Sequence, residues 1–190
     1  MEEIKRQKGD RCIIPIHSIM EFPPVENVRT ATWISLIHGA QGLNYFVYQG
    51  GSLDHPAWWR EMQAMLSQVK ETTPALHRST SSLLGYSWAT TEGSRDYYHI
   101  EHTASGALAT DNDRVDAMLR RLKATEQRYL FAINTRAEPT QAAFRVKGLS
   151  AGTPIRVLFE NRTLTATAQG LQDDFAGYQL HIYVWGPTTR

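Results

Sequence analysis

The pattern of hydrophobic residues changes once along this 190-residue chain, near residue 80. Before that point strand-like and helix-like patterns alternate, and after it only short strand-like runs occur, separated by turn residues. Alternating strands and helices are typical of a parallel sheet, whereas many short strands joined by turns are typical of an antiparallel sandwich. We therefore predict two parts, residues 1–80 and residues 81–190.

Two apolar segments in the first part are predicted to be strands. Residues 12–22 (CIIPIHSIMEF) are rich in isoleucine, which suits a strand buried on both faces of a parallel sheet. Residues 42–48 (GLNYFVY) form a shorter run rich in aromatic side chains. Two strand–helix units do not close a barrel, so we expect either a preceding barrel segment or a second copy of the chain to cover this sheet.

Helical spacing follows each of these strands. The first helix is predicted from Val25 and the second from Pro56, because a first helical turn tolerates proline. Each helix carries an apolar stripe at i, i+3, i+4 spacing. The stripes comprise Trp33, Leu36, Ile37 and Ala40 in the first helix, and Trp58, Met62, Met65, Leu66 and Val69 in the second. We expect the second helix to end near Thr72, because Pro74 removes a backbone donor and clashes with the preceding turn.

The second part is predicted to hold about eight short strands in an antiparallel β-sandwich. Residues 115–123 suit either a helix or a strand, and we favour a strand because residues 123–127 look like a hairpin turn. The other predicted strands are residues 85–91, 94–103, 128–135, 141–146, 155–160, 162–167 and 178–185. Turns between them are marked by Gly148, Gly152, Gly170 and Gly177.

Charge and cysteine content argue against several classes of protein. The formal net charge is +1, so we expect neither a nucleic acid nor a membrane surface as partner. The single cysteine, Cys12, rules out an intramolecular disulfide. The histidines show no metal-ligand spacing, so we expect no metal site and no cofactor. No apolar stretch is long enough for a signal peptide or a membrane span, so we expect a cytoplasmic protein.

Residues 28–48, VRTATWISLIHGAQGLNYFVY, resemble a segment of TIM-barrel glycoside hydrolases, where an Arg-containing helix and a His-Gly-Ala turn precede the eighth barrel strand. The second part is similar to the C-terminal β-sandwich of these enzymes. The segments that carry this similarity are LFAINTRAEPTQAAFRVKGL (130–149), RVLFENRTL (156–164) and DDFAGYQLHIYVW (173–185). The resemblance implies an incomplete TIM-barrel segment, the last two βα units, followed by an antiparallel β-sandwich.

The resemblance also implies hydrolysis of O-glycosidic bonds by a pair of carboxyl groups at the C-terminal ends of the barrel strands. Glu21 then matches the nucleophile of retaining barrel glycosidases that act on β-linked sugars. No residue of this chain matches the acid/base, which would belong to a preceding strand. Tyr48, Gln49 and Trp59 are the candidate contacts to a carbohydrate substrate.

Each of these acidic and histidine residues also has a simpler interpretation. Glu21 is also explained as an ordinary charged residue at the end of a strand, and Asp54 is best explained as a helix cap. Asp173 and Asp174 are predicted to lie in a solvated turn rather than in a calcium site. His38 is expected to secure the junction between the first helix and the following strand.

Two kinds of function therefore remain open at this point. The first is a glycoside-hydrolase-like protein, here a fragment of a larger enzyme. The alternative is a non-catalytic β-sandwich module that binds carbohydrate or mediates assembly.

Overall fold

The computed structural model describes residues 16–18, 24–46, 55–77, 79–87 and 107–187. In chain order the elements are β1 (Ile16–Ser18), α1 (Val25–Ile37), β2 (Asn44–Phe46), α2 (Pro56–Leu76), β3 (Ser81–Ser87), β4 (Leu108–Thr110), β5 (Val115–Leu122), β6 (Arg128–Asn134), β7 (Thr140–Val146), β8 (Pro154–Val157), β9 (Arg162–Thr165), β10 (Leu171–Phe175) and β11 (Leu180–Trp185). No helix within these ranges combines the length and the apolarity needed to cross a bilayer.

The described strands form three sheets. β1 and β2 pair in parallel, with α1 as the connection between them, which is the arrangement of a βαβ unit. The later strands form a six-stranded sheet in the order β3-β5-β6-β11-β8-β9 and a three-stranded sheet in the order β10-β7-β4, with antiparallel pairing throughout. The predicted antiparallel β-sandwich is therefore present.

The core of the sandwich lies between the six-stranded and the three-stranded sheet. Phe144 on β7 and Phe175 on β10 contact each other edge to face, at 6.2 Å between ring centroids, and Tyr183 on β11 approaches Phe144 from the opposite sheet. All three side chains are fully buried. Burial of such large aromatic rings is the main source of stability in a sandwich of this size.

The two helices cover the other face of the six-stranded sheet. Trp33 on α1 stacks on Phe131 of β6, with ring centroids 6.2 Å apart, and Ala75 on α2 packs into the same cluster. Along β6, Leu130 faces the sandwich core while Phe131 faces the helices. Because β5 and β6 are buried on both faces, their apolar residues follow one another without the alternation of a half-exposed strand.

His38 joins the first helix to the sandwich. It follows α1, and its Nε2 atom lies 2.7 Å from Oδ2 of Asp116 on β5. His38 was predicted to secure the junction between the first helix and the following strand. Its described partner is instead a nearly buried carboxylate of the six-stranded sheet.

Several predicted boundaries differ from the structure. The prediction that Pro74 ends the second helix was wrong, since α2 continues to Leu76. Proline removes only one hydrogen bond in that last turn, and the packing of Ala75 against the sheet outweighs the loss. β10 was not predicted, and Asp173 and Asp174 lie in this strand rather than in a turn. The predicted strand 94–103 lies outside the described residues.

Gly177 permits the close approach of two loops before β11. A Cβ atom added there would stand 1.9 Å from the carbonyl oxygen of Ala137. We expect Gly177→Ala to lower the free energy of unfolding by about 2–3 kcal/mol, because the backbone has to move to remove this overlap.

Gly152→Ala is the matched control in urea denaturation. Gly152 has a φ of 83° and no atom within 4 Å of an added Cβ, so only the backbone conformation opposes alanine there. We expect Gly152→Ala to lower the free energy of unfolding by a smaller amount, about 1–2 kcal/mol. Equal losses in the two variants would contradict the proposed overlap at Gly177.

Candidate functional site

The parallel strands β1 and β2 define the edge where the catalytic residues were predicted. Ser18 pairs with Phe46, so the two strands end at the same edge of their sheet. Glu21 was predicted at the end of the strand at residues 12–22, and Tyr48 and Gln49 at the end of the strand at residues 42–48. These three residues lie outside the described residues, so their roles remain predictions.

Trp59 is the one predicted sugar contact within the described residues. It lies near the start of α2 and is half-buried, and its ring stacks on Trp58 at 6.3 Å between centroids and 17° between planes. Both rings pack against a small cluster formed by Val28, Met62 and Met65. Trp58 was expected to belong to the core and Trp59 to the sugar surface, but both are half-buried and share this contact.

Tyr45 fixes the second parallel strand to the first helix. Its hydroxyl group lies 2.7 Å from Oγ1 of Thr32, which is buried on α1. Burial raises the pKa of Tyr45, and the hydrogen bond to Thr32 partly opposes this effect. The phenol therefore stays protonated at neutral pH and holds β2 in place next to the predicted catalytic edge.

A charged network that the sequence did not reveal connects the two sheets of the sandwich. Arg162 at the start of β9 binds Asp173 on β10 through both terminal nitrogens, at 3.0 and 2.7 Å, and binds Glu160 through Nε at 2.7 Å. The hydroxyl of Tyr183 donates to Asp173 at 2.8 Å. His181, fully buried on β11, contacts Glu160 and the carbonyl oxygen of Asp174.

One sequence signal for this network was available. Leu171, Asp173 and Phe175 occupy alternate positions of one strand, and the two outer residues are buried. Period-two alternation therefore places the middle carboxylate on the inward face, where it needs a cationic partner. Asp173 and Asp174 were instead predicted to lie in a solvated turn, because two adjacent acids do not form a calcium motif.

Asp173 and Tyr183 do not suit the role of a general acid. Burial by itself would raise the pKa of the Asp173 carboxyl, but hydrogen bonds from Arg162 and Tyr183 lower it below its ordinary value. Burial, reinforced by the charge of Asp173, raises the pKa of Tyr183 far above its usual range. A glycosidase acid requires a raised carboxyl pKa, so these groups hold the sheets together rather than transfer protons.

Metal binding has no support within the described ranges. No group of three or more His, Cys, Asp or Glu side chains there is arranged to hold a metal ion. Arg162 lies between Glu160 and Asp173 and supplies the positive charge that a cation would otherwise provide.

Comparison with solved structures shows a fold shared with C-terminal regions of alpha-amylases and other glycosidases. The match with an alpha-amylase from Geobacillus thermoleovorans in complex with acarbose covers 98% of this chain and 42% of the amylase chain, with a TM-score of 0.59 and 12% sequence identity. The match with AmyB, a maltogenic alpha-amylase from Thermotoga neapolitana, covers 96% of this chain and 43% of the AmyB chain, with a TM-score of 0.53 and 12% sequence identity. The match with an Anoxybacillus alpha-amylase covers 88% of this chain and 34% of the amylase chain, with a TM-score of 0.52 and 14% sequence identity.

These matches confirm the resemblance to glycoside hydrolases at the level of the fold. The chain spans between a third and a half of the length of the solved structures that it matches. No protein-family model matches the sequence, and no curated protein does so.

Proposed function

We propose that this chain forms the C-terminal part of a glycoside hydrolase. Its β1–α1–β2–α2 segment would supply the last two βα units of a TIM-type barrel, and its sandwich would follow the barrel. The observation that carries the proposal is the parallel pairing of β1 with β2 across α1, directly before an antiparallel sandwich. The fold similarity supports it because it extends over both the βα segment and the sandwich.

The predicted catalytic residues follow from this placement. TIM-barrel active sites lie at the C-terminal ends of the strands, and β1 and β2 end at the same edge. Glu21 would act as the nucleophile, while Tyr48, Gln49 and Trp59 would contact the sugar. The acid/base would come from a preceding barrel segment. The division at residue 80 and the possibility of self-association remain part of this proposal.

The substrate class is an O-glycoside. The solved structures named above are alpha-amylases, and one contains acarbose. They give no support to the expectation of a β-linked substrate. Assays should therefore begin with α-linked glucosides and include β-linked ones for comparison.

A pair of variants tests the catalytic proposal. We expect Glu21→Gln to reduce hydrolysis of aryl glycosides at least about a thousandfold, because the amide cannot form the covalent glycosyl intermediate. The acid/base would lie outside this chain, but an aryl leaving group of low pKa departs without protonation by a general acid. Initial rates can therefore be measured for the purified chain on a panel of such aryl α- and β-glycosides. Glu26→Gln, an exposed acid in the first turn of α1, is the matched control and should keep the original rate.

Each outcome of this assay has a definite meaning. Unchanged turnover in Glu21→Gln would exclude the assigned nucleophile. Absence of turnover from a folded sample would exclude this chain as a catalyst on its own. Two possibilities would then remain: a fragment that needs the preceding barrel segment, and a sandwich module that binds carbohydrate or mediates assembly.

A further inference from the structure

Large apolar side chains are exposed at three positions in the part of the chain that the structure describes. They are Leu83, Phe159 and Tyr178, with exposed fractions of 37%, 44% and 37%. Phe159 follows β8 and Tyr178 precedes β11, and both line one groove. Two exposed aromatic rings in one groove mark a binding surface more strongly than scattered single residues do.

Both aromatic residues adopt a backbone conformation that bulky side chains rarely use. The φ angle is 66° at Phe159 and 57° at Tyr178, in the left-handed region. Such strained residues cluster at binding and active sites. Burial offsets this strain only in part, because 44% of Phe159 and 37% of Tyr178 are exposed.

The groove between the helices and the sandwich has a volume of about 230 Å³. Arg29 from α1 and Gln68 from α2 line one side, and Glu160 and Gln179 lie beside the aromatic residues. Pockets for drug-sized ligands occupy roughly 300–1,000 Å³, so this groove suits one small ring at a time.

The chemistry of the lining selects the kind of ligand. The lining carries one arginine and one glutamate, and Glu160 is also paired with Arg162, so the groove has no dense charge of either sign to select a strongly charged ligand. Gln179 accepts a hydrogen bond from the backbone N–H of Ala176 through Oε1, so its amide nitrogen is the group it offers to a ligand. Glu160 keeps spare acceptor capacity beyond its bonds to Arg162 and His181. Apolar rings beside amide and carboxylate groups match a sugar, which has an apolar C–H face and a rim of hydroxyls.

We propose that this groove is a carbohydrate-binding site for one ring of a neutral oligosaccharide. Phe159 and Tyr178 supply the apolar contact, and the polar side chains bind the hydroxyl groups. The inference goes beyond the hydrolytic proposal, because it concerns a second surface and holds whether or not the chain turns over a substrate.

Binding of linear glucose oligosaccharides with α-1,4 and with β-1,4 linkage tests the proposal. The measurement is isothermal titration calorimetry on the full chain. We expect Phe159→Asn and Tyr178→Asn each to weaken binding about tenfold, by loss of one aromatic contact. Asparagine tolerates the left-handed conformation, so neither substitution should lower the melting temperature. Leu83→Ala, at an equally exposed position on β3, is the matched control and should bind as the original chain does.

The outcomes separate this groove from the predicted catalytic edge. Loss of binding in both asparagine variants, with Leu83→Ala unaffected, supports the proposal. Binding that survives in both asparagine variants but is lost in Glu21→Gln would locate the ligand at the catalytic edge and overturn it. Absence of binding to either oligosaccharide by the folded chain would also overturn it, and the groove would then be better explained as a contact surface for protein.

Discussion

Arg162→Met is expected to lower the free energy of unfolding by about 2–3 kcal/mol, at or below the lower end of the range for a fully buried ion pair, because the Arg162 side chain is 31% exposed. The substitution removes both hydrogen bonds from the guanidinium to Asp173 and the bond to Glu160. The Asp173 side chain is only 10% exposed, so its charge would remain buried, with the Tyr183 hydroxyl and the backbone N–H of Asp174 as its described donors. Denaturation in urea at neutral pH measures the effect.

The loss of stability caused by Arg162→Met should also depend on pH. In the original chain the pKa of Asp173 lies below its ordinary value of 3.8, so the network stabilises the fold above that pH and weakens as pH falls through the lowered pKa. Without Arg162, burial dominates and we expect the pKa of Asp173 to rise above 3.8. The variant's carboxyl then destabilises the fold as pH rises. The stability difference between the two proteins should therefore grow from about pH 3 to about pH 6.

Two further variants make this prediction specific. Arg121→Met removes the ion pair to Glu126, 3.1 Å long, in which the arginine side chain is 42% exposed. Such exposed pairs contribute at most about 1 kcal/mol. The double variant Arg162→Met/Asp173→Asn should lose most of the added pH dependence, because Asp173 is the less exposed of the two carboxylates that Arg162 binds and asparagine does not titrate. A destabilisation by Arg162→Met no larger than that of Arg121→Met would show that the network contributes little.

Trp33→Ala should lower the free energy of unfolding by about 3–5 kcal/mol, the range for truncating a large buried aromatic side chain. Trp33 is fully buried and stacks on Phe131, so its loss opens a cavity between α1 and the six-stranded sheet. The measurement is urea denaturation followed by tryptophan fluorescence and by circular dichroism. Because the contact joins the βα segment to the sandwich, the result also bears on the predicted division at residue 80.

Phe144→Ala provides the comparison for Trp33→Ala. Phe144 is equally buried but lies between the two sheets of the sandwich. If the chain unfolds as one cooperative unit, both variants should shift a single transition by similar amounts. If Trp33→Ala instead gives two transitions, the helices unfolding at a lower urea concentration and the sandwich at its original midpoint, the two parts are independent domains. A loss below about 1 kcal/mol would contradict the role of Trp33 at this interface.

Local patterns along the chain determined the order and the type of most elements. The stripe Trp33–Leu36–Ile37 defined the inner face of α1 because helical spacing places these residues together. The strand assignment at 115–123 was confirmed by β5, since a following hairpin favours a strand over a helix. Gly148, Gly152 and Gly170 have positive φ angles, as their predicted turns require.

Tertiary structure alone decided the features that depend on partners distant in sequence. The continuation of α2 past Pro74 depends on the packing of Ala75 against the sheet, which outweighs the local preference to stop. The network of Arg162, Asp173 and Tyr183 joins three strands of two sheets, so no window of sequence contains it. The groove at Phe159 and Tyr178 arises where α1 and α2 meet the ends of β8 and β11. Periodicity shows which residues share a face of one element, whereas charge pairing and grooves depend on which faces meet.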